Sequence, residues 1–513
     1  MAERTRGARK LSEPKPFNPP TPWYRRTHTR IIAIVVTLAV IVWMGFWRPW
    51  ETVRVTDGSD DLFGGLGEVE RLIRAENRAV GESGQDYATI AFMMPIRTGD
   101  KDPNSRTSIQ HELEGAYLAQ WWSNHEEGDP VRFSSSRPLV RLLLADTGDG
   151  GVDWNDTVTD LVARAESDEH LVAVAGLGSS VDTTQRAVSA LNDHGIPTFG
   201  SVITSSALSA PRLARVAPTN ADEAAAAVAY LTTTPEWLAA TPEAPYKIHM
   251  VRDTDPNDRY ATDLANRYRN AFPRDNPAYP RPTEGGFNAA VGAVGNVLAL
   301  EAQRICGIDP DVVFFAGFSA DLRTFLGKLA ARDCAADGPI TVICGDDVNR
   351  VTGVHGLWTG GSVRVLYTTL ATPQAWDSPV AERDKLFSPV PIARFRDGPH
   401  SYHAVFGDDL EDGHAIMSYD SVVTAVEATR RARTEKAKVP QPVDLVNGLN
   451  QINGTARVPG ASGWIYFQIP RNASQQWLPF NKLIPVMSLD ANGKATLEAL
   501  SSNNGRPPGP PPR

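Results

Sequence analysis

The chain has 513 residues, of which 42% are hydrophobic and 22% charged, the make-up of a folded globular protein rather than a disordered or fibrous one. Its net charge of −9 argues against a nucleic-acid binder that works through a broad basic face. Three cysteines are too few for a small disulfide scaffold, and their spacing fits no zinc site.

Charge is distributed unevenly. Residues 1–30 carry eight basic side chains against two acidic ones, a net of +6 that leaves −15 for the remainder. This basic, Pro-rich tail runs into Ile31–Trp47, seventeen residues without a charge. Such a run is at the short end of what crosses a bilayer as a helix. Trp43, Trp47 and Trp50 cluster toward its far end, where aromatic rings favour the membrane interface. Bulky residues stand where a leader peptidase needs small ones, so the segment reads as an uncleaved signal anchor rather than a cleaved signal peptide. The expectation is a cytoplasmic tail over 1–30, a transmembrane anchor over 31–50 and the bulk of the chain outside the cell.

Residues 51–85 read as a stalk with one lead-in helix, Glu68–Val80. From Tyr87 onward, short β-branched runs alternate with amphipathic stretches. The predicted strands are Ala88–Met93, Val140–Ala145, Val172–Ala175, Pro197–Gly200, Lys247–Arg252, Val312–Ala316, Ile340–Cys344, Gly361–Tyr367 and Lys482–Leu489. The intervening helices are Ile109–Asn124, Trp154–Ser167, Thr183–His194, Asp222–Leu231, Ala261–Ala271, Ala289–Ile305 and Ala320–Asp333. This alternation predicts an α/β fold with parallel sheets, and the length favours two doubly wound sheets over one. The last residues, 501–513, read as a disordered Pro-rich tail.

In open α/β sheets, ligands bind beyond the carboxyl ends of the strands. The most informative loops follow the strands at Val172–Ala175 and Pro197–Gly200. The first turns through Gly176-Leu177-Gly178 into Ser179 and Ser180 ahead of a helix. The second is the hydroxyl-rich run Ser201–Ser206. Hydroxyls and free backbone N–H groups at a helix N-terminus suit a carboxylate, although helix capping alone also explains them.

The order of landmarks carries more than any one motif. Ala91–Ile96, Glu114–Ala119, Val140–Asp146, the Gly-x-x-Ser-Ser-x-x-Thr pattern of Gly176–Thr184, Gly195-Ile196-Pro197, Arg215–Thr219, Asp311–Gly317, Tyr419-Asp420-Ser421-Val422, Gly454-Thr455 and Gly463–Phe467 follow one another over some 400 residues. In this order the chain resembles the type I periplasmic binding proteins, and among them the leucine/isoleucine/valine-binding branch of ABC-transporter substrate-binding proteins. The resemblance implies two lobes joined by three hinge crossings, near Ala217, Tyr367 and Phe467. Lobe 1 would comprise 86–217 and 367–465, lobe 2 would comprise 218–366, and 466–500 would be the return to lobe 2 with the C-terminal strand. It also implies a ligand carboxylate held by Ser179, Ser180 and Thr204, an ammonium met by Asp346 or Asp347, and flanking contacts from Tyr260 and Phe318. Three departures bear on ligand identity: Tyr260 is followed by Ala261, an Asp fills a Glu position, and Phe318 stands where a Tyr is frequent.

Cys306 and Cys334 each follow a crossover helix and are expected to pair, with Cys334–Cys344 as the alternative. The Gly292–Gly295 run lies inside a predicted helix and not after a strand, so no nucleotide site is read from it. His400 and His403 lack a third ligand, so no metal site is read either. The functional expectation is a membrane-anchored solute-binding protein, with no catalytic residue and no cofactor. It would take a small polar ligand, such as an amino acid, and work with an ABC permease. The first alternative is a sensor or protein-interaction ectodomain with a signalling membrane partner. A more distant one is a hydrolase built on Ser179.

Overall fold

The computed structural model describes residues 53–59, 66–99, 104–126, 128–130, 132–234, 245–272, 278–348, 350–358, 362–472 and 475–510. The expected cytoplasmic tail and anchor, residues 1–50, lie outside them. Among the described residues no helix is long and apolar enough to cross a membrane.

The strands, in chain order, are β1 (Val55–Thr56), β2 (Tyr87–Met94), β3 (Leu139–Asp146), β4 (Leu171–Gly176), β5 (Thr198–Gly200), β6 (Leu213–Arg215), β7 (Ile248–Asp253), β8 (Thr283–Phe287), β9 (Val312–Ala316), β10 (Ile340–Cys344), β11 (Val363–Thr368), β12 (Val458–Gly460), β13 (Gly463–Ile465), β14 (Phe467–Gln468), β15 (Leu478–Pro479), β16 (Ile484–Leu489) and β17 (Ala495–Ser501). Six of them form one sheet in the order β1-β3-β2-β4-β5-β6, and seven form a second in the order β17-β16-β11-β10-β9-β7-β8. β2 to β6 are mutually parallel, as are β7 to β11, whereas β1, β16 and β17 pair antiparallel at their edges. The sequence explains the centres of both sheets. β2 and β4 read as unbroken apolar runs because helices cover both of their faces, and all but one of their residues are buried.

Several helices begin where a short polar side chain caps them. Ser105 accepts from the Ser108 N–H at 3.0 Å to open Arg106–Asn124, and Asp258 accepts from the Ala261 N–H at 2.8 Å to open Arg259–Ala271. Each cap satisfies a donor that the first helical turn cannot.

Three crossings join the sheets, at about residues 216–219, 369–372 and 480–483. The third falls later than the expected position near Phe467. The hairpins β12–β13 and β14–β15 intervene, and Val458, Ile465, Phe467 and Trp477 pack in the lobe 1 core. The segment expected as a stalk also belongs to lobe 1. β1 pairs with β3, and the helix Gly67–Glu82 buries Val69 and Ile73 against the sheet.

Other differences are local. The helix expected from Ala289 starts at Val294, because Ala293 adopts a left-handed conformation at φ 67°. β8 escaped notice because its TEGGF sequence has weak strand preference and lies at a sheet edge. Residues 501–510 are not a free tail. Asn503 Nδ2 and the Asn504 N–H both donate to the Asp222 carboxylate at 2.9 Å, so ion-dipole contacts hold a stretch whose composition reads as disordered.

Cys306 and Cys334 form a disulfide across 28 residues, and Cys344 is free and buried. A loop of that length confers about 3–4 kcal/mol in the chain-entropy model. The Cys306→Ser/Cys334→Ser chain is therefore expected to lose that much stability in denaturant unfolding. An unchanged midpoint would show that the bridge is thermodynamically idle.

Candidate functional site

The carboxyl edges of the two parallel sheets face each other. On the lobe 1 side, β4 ends at Gly176 and turns through Gly176, Leu177 and Gly178, all with positive φ. A Cβ on Gly176 would lie 2.9 Å from the Phe92 ring, and one on Gly178 2.9 Å from Pro95. Glycine is therefore required at both positions, and the turn delivers Ser179 and Ser180 to the edge. β5 delivers Val202 and Thr204 beside them. On the lobe 2 side, β9 leads to Phe318, β10 leads through Gly345 to Asp346 and Asp347, and the cap of Arg259–Ala271 presents Tyr260.

All seven residues singled out in the sequence, Ser179, Ser180, Thr204, Tyr260, Phe318, Asp346 and Asp347, line one cavity between the lobes. Asn104, Val202 and His414 complete its wall. The cavity has about 20 Å³ for the centre of a water molecule, room for one or two waters. Loops of the two lobes meet beside it. The Tyr260 N–H donates to the Ser180 carbonyl at 3.0 Å, the Asp182 N–H to the Asn257 carbonyl at 3.1 Å, and Ser205 Oγ to the Arg259 carbonyl at 2.8 Å. Arg259 Nη2 donates to Asp182 Oδ1 at 2.7 Å, and Arg350 Nη2 reaches the Asn104 carbonyl at 2.9 Å. The lobes are thus closed on each other.

Tyr260 and Phe318 stack with ring centroids 5.3 Å apart. The Tyr260 hydroxyl accepts from the Asp347 N–H at 3.3 Å and bonds the Asp346 carboxyl. Gly345 makes this approach possible, since a Cβ there would lie 2.5 Å from the hydroxyl. Thr204 is fully buried, and its hydroxyl has no hydrogen-bond partner among the described residues.

Asp346 and Asp347 are half-buried in the cavity wall. Burial pushes Asp347 up to about 6, against the Ser319 N–H that donates to its Oδ2 at 2.9 Å. Behind Asp346 lies Glu223, fully buried, which accepts from Thr368 Oγ1 at 3.1 Å. Burial, and then the neighbouring Asp346, push Glu223 well above its ordinary value. One oxygen of each, Glu223 Oε1 and Asp346 Oδ1, lacks a donor. Two carboxyls in this arrangement share one proton, and of the two Glu223 is pushed further up.

Sequence reasoning missed Asn104, Val202, Glu223 and His414. His414 was the most accessible of them, because it opens the helix that carries the Tyr419-Asp420-Ser421-Val422 landmark. Glu223 offered no such signal, being one acid in an Ala-rich helix. Among the described residues no cluster of His, Cys, Asp and Glu is arranged to hold a metal ion.

No protein-family model and no curated protein sequence matches the chain. Solved structures do. A leucine-binding protein from Thermotoga maritima is 17% identical, with a TM-score of 0.55 over 80% of this chain and 98% of its own. A branched-chain amino acid transporter substrate-binding protein from Streptococcus pneumoniae, in complex with isoleucine, is 14% identical, with a TM-score of 0.55 over 81% and 99%. An ABC-transporter solute-binding protein from Rhodopseudomonas palustris, in complex with p-hydroxybenzoic acid, is 13% identical, with a TM-score of 0.55 over 82% and 98%. The chain has the type I periplasmic binding protein fold, as the ordered landmarks imply.

The shared proton has a measurable consequence. A carboxyl whose folded pKa is raised keeps its proton in the native state while the unfolded chain releases it, so stability falls as pH rises above about 4.5. Glu223→Gln removes one such proton and is expected to flatten the fall between pH 5 and 7 by up to about 1.4 kcal/mol per pH unit. Unfolding free energies of the two chains across that range test the assignment. Parallel curves would place the proton elsewhere.

Proposed function

We propose that the chain is a membrane-anchored extracytoplasmic solute-binding protein that captures a small polar ligand, such as an amino acid, between its lobes for ABC-type uptake. The observation that carries this reading is the buried Thr204 hydroxyl, unpartnered and lining a cavity with hydroxyls on one wall and carboxylates on the other. A buried polar group without a partner is costly, and a ligand that bonds it removes the cost. The cavity is too small for an amino acid, so the ligand enters by parting of the lobes, a hinge motion about the three crossings. The similar solved structures are substrate-binding proteins in complex with isoleucine and p-hydroxybenzoic acid, and they support a binding role rather than an enzymatic one.

Two further features support the placement. The run Ile31–Trp47 with its basic flank supports a single-pass anchor with the N-terminus in the cytoplasm. The Cys306–Cys334 disulfide fits an oxidising compartment. The anchor also favours a second reading, a sensor ectodomain that reports its ligand to a membrane partner. A hydrolase built on Ser179 is disfavoured. Ser179 hydrogen bonds to no imidazole, and His414, in the same cavity, is held protonated and so is a poor general base.

Mass spectrometry of small molecules retained by the purified full-length chain, followed by calorimetric titration, tests the binding role. Thr204→Val replaces the hydroxyl with a methyl of the same shape. It is expected to leave the melting temperature unchanged or slightly raised, yet to weaken the retained molecule by roughly 10- to 100-fold. Equal affinity in the variant would remove Thr204 from the site, and a folded chain that retains and binds nothing would refute the reading.

A further inference from the structure

Among the described residues His414 is the one basic group lining the cavity, and its surroundings hold it in a fixed state. It opens the helix His414–Ala432 and is 7% exposed. Its Nδ1 lies 3.1 Å from Glu112 Oε1, and Glu112 Oε2 accepts from Ser201 Oγ at 3.0 Å and Ser418 Oγ at 3.3 Å. Its backbone N–H donates to Asp412 Oδ1 at 3.0 Å, while Asp412 Oδ2 lies 2.9 Å from His111 Nδ1. Both acids are thus occupied on both oxygens, with Glu112 holding the ring and Asp412 the backbone beneath it. Among the described residues Nδ1 is the ring atom with a hydrogen-bond partner, and His414 lines the cavity, so Nε2 is the atom left for a ligand. Asp346 and Asp347 face the ring from lobe 2 and interact with its charge.

We infer that His414 is a specificity-determining residue, a fixed positive charge that meets an anionic group of the ligand. The site then takes a molecule with its anion toward the first turn of His414–Ala432 and its cation toward Asp346 and Asp347. This rests on the solute-binding reading and deepens it. Hydroxyls and N–H groups of the two Ser/Thr loops can hold a carboxylate without a charge of their own, but a buried imidazolium adds a coulombic term that a neutral ligand end cannot use. The N-terminal end of the helix adds to the same potential.

The electrostatics agree with the geometry. Burial alone would lower the imidazole, but Asp412, and then Glu112, outweigh it and hold His414 up to about 9. Asp412 in turn is held down to about 2, with the His414 and His111 charges overcoming its burial. The positive charge is therefore present across the neutral range and is lost as pH rises through about 9.

The test is a binding cycle on the full-length chain by isothermal titration. The probes are the L-amino acids, together with the primary amide of each one that binds, in which the anion is deleted but the shape kept. Wild type is expected to prefer the acid over its amide by at least about tenfold, or about 1.4 kcal/mol. In His414→Gln that preference is expected to shrink to within about threefold. An unchanged preference in His414→Gln would make the histidine structural and overturn the inference. A wild-type chain that takes the amides as well as the acids, or that binds only a retained molecule without an anion, would also overturn it while leaving the solute-binding reading standing. A chain that binds no probe and retains no molecule would overturn both. Should His414→Gln fail to fold, ¹⁵N-histidine labelling of the wild type decides. A binding amino acid should shift the His414 Nε2 resonance and raise its titration midpoint, and a silent His414 would sink the idea.

Discussion

Two acids, Asp346 and Asp347, stand half-buried at the carboxyl edge of one sheet and face a wall that belongs to the other, with the fully buried Glu223 behind Asp346. Ionised carboxylates out of water are costly unless charge or hydrogen bonds answer them. The molecule answers in three ways. Glu223 and Asp346 hold one proton between them, the Ser319 N–H serves Asp347, and a protonated His414 stands across the cavity. Two of these lie within lobe 2 and the third comes from lobe 1. The electrostatic state of the cavity therefore depends on whether the lobes are together, and closure is sensitive to what lies between them.

The frame that sets this distance is built as firmly as the site. Asp420, fully buried, accepts from the Ala461 N–H at 2.6 Å and the Ser462 N–H at 2.9 Å. The Ser462 hydroxyl bridges Asp420 to Lys482, which burial holds down to about 8 against the pull of that carboxylate. Lys482 lies at the third crossing, two residues before β16, so a buried hydrogen-bond relay through Ser462 ties the helix His414–Ala432 to the strand that leaves for lobe 2. The same helix carries His414 at its first residue and Asp420 two turns on. One element thus supports both the cavity wall and the crossing.

The legible part of the site was the part made by chain-local rules. A Gly-Leu-Gly turn after an apolar strand must end at the sheet edge, so the position of Ser179 and Ser180 followed from sequence. The second hydroxyl loop was found in the same way, directly after a strand, whereas Asp346 and Asp347 were singled out by the family resemblance. His414 and Glu223 were not legible, because each sits in a helix, and only packing between segments far apart in sequence puts His414 in the cavity wall and Glu223 behind it. The stalk was misread for a related reason. Its Gly-punctuated, charged composition hides a two-residue strand and a helix whose apolar stripe is satisfied only by lobe 1. The C-terminal residues read as disordered because nothing local reveals Asp222 as their anchor.

The sequence by itself determined the alternation of strands and helices, the parallel sheets, the order of landmarks and the residues that lie at strand ends. These follow from hydrophobic period, β-branching and turn chemistry, which act over a few residues. Tertiary structure alone decided which strand ends face one another, where the chain crosses between lobes, and which buried charges share protons or partners. Those outcomes depend on distances between segments hundreds of residues apart and on the exclusion of water from the space between them, and neither exists until both lobes have folded.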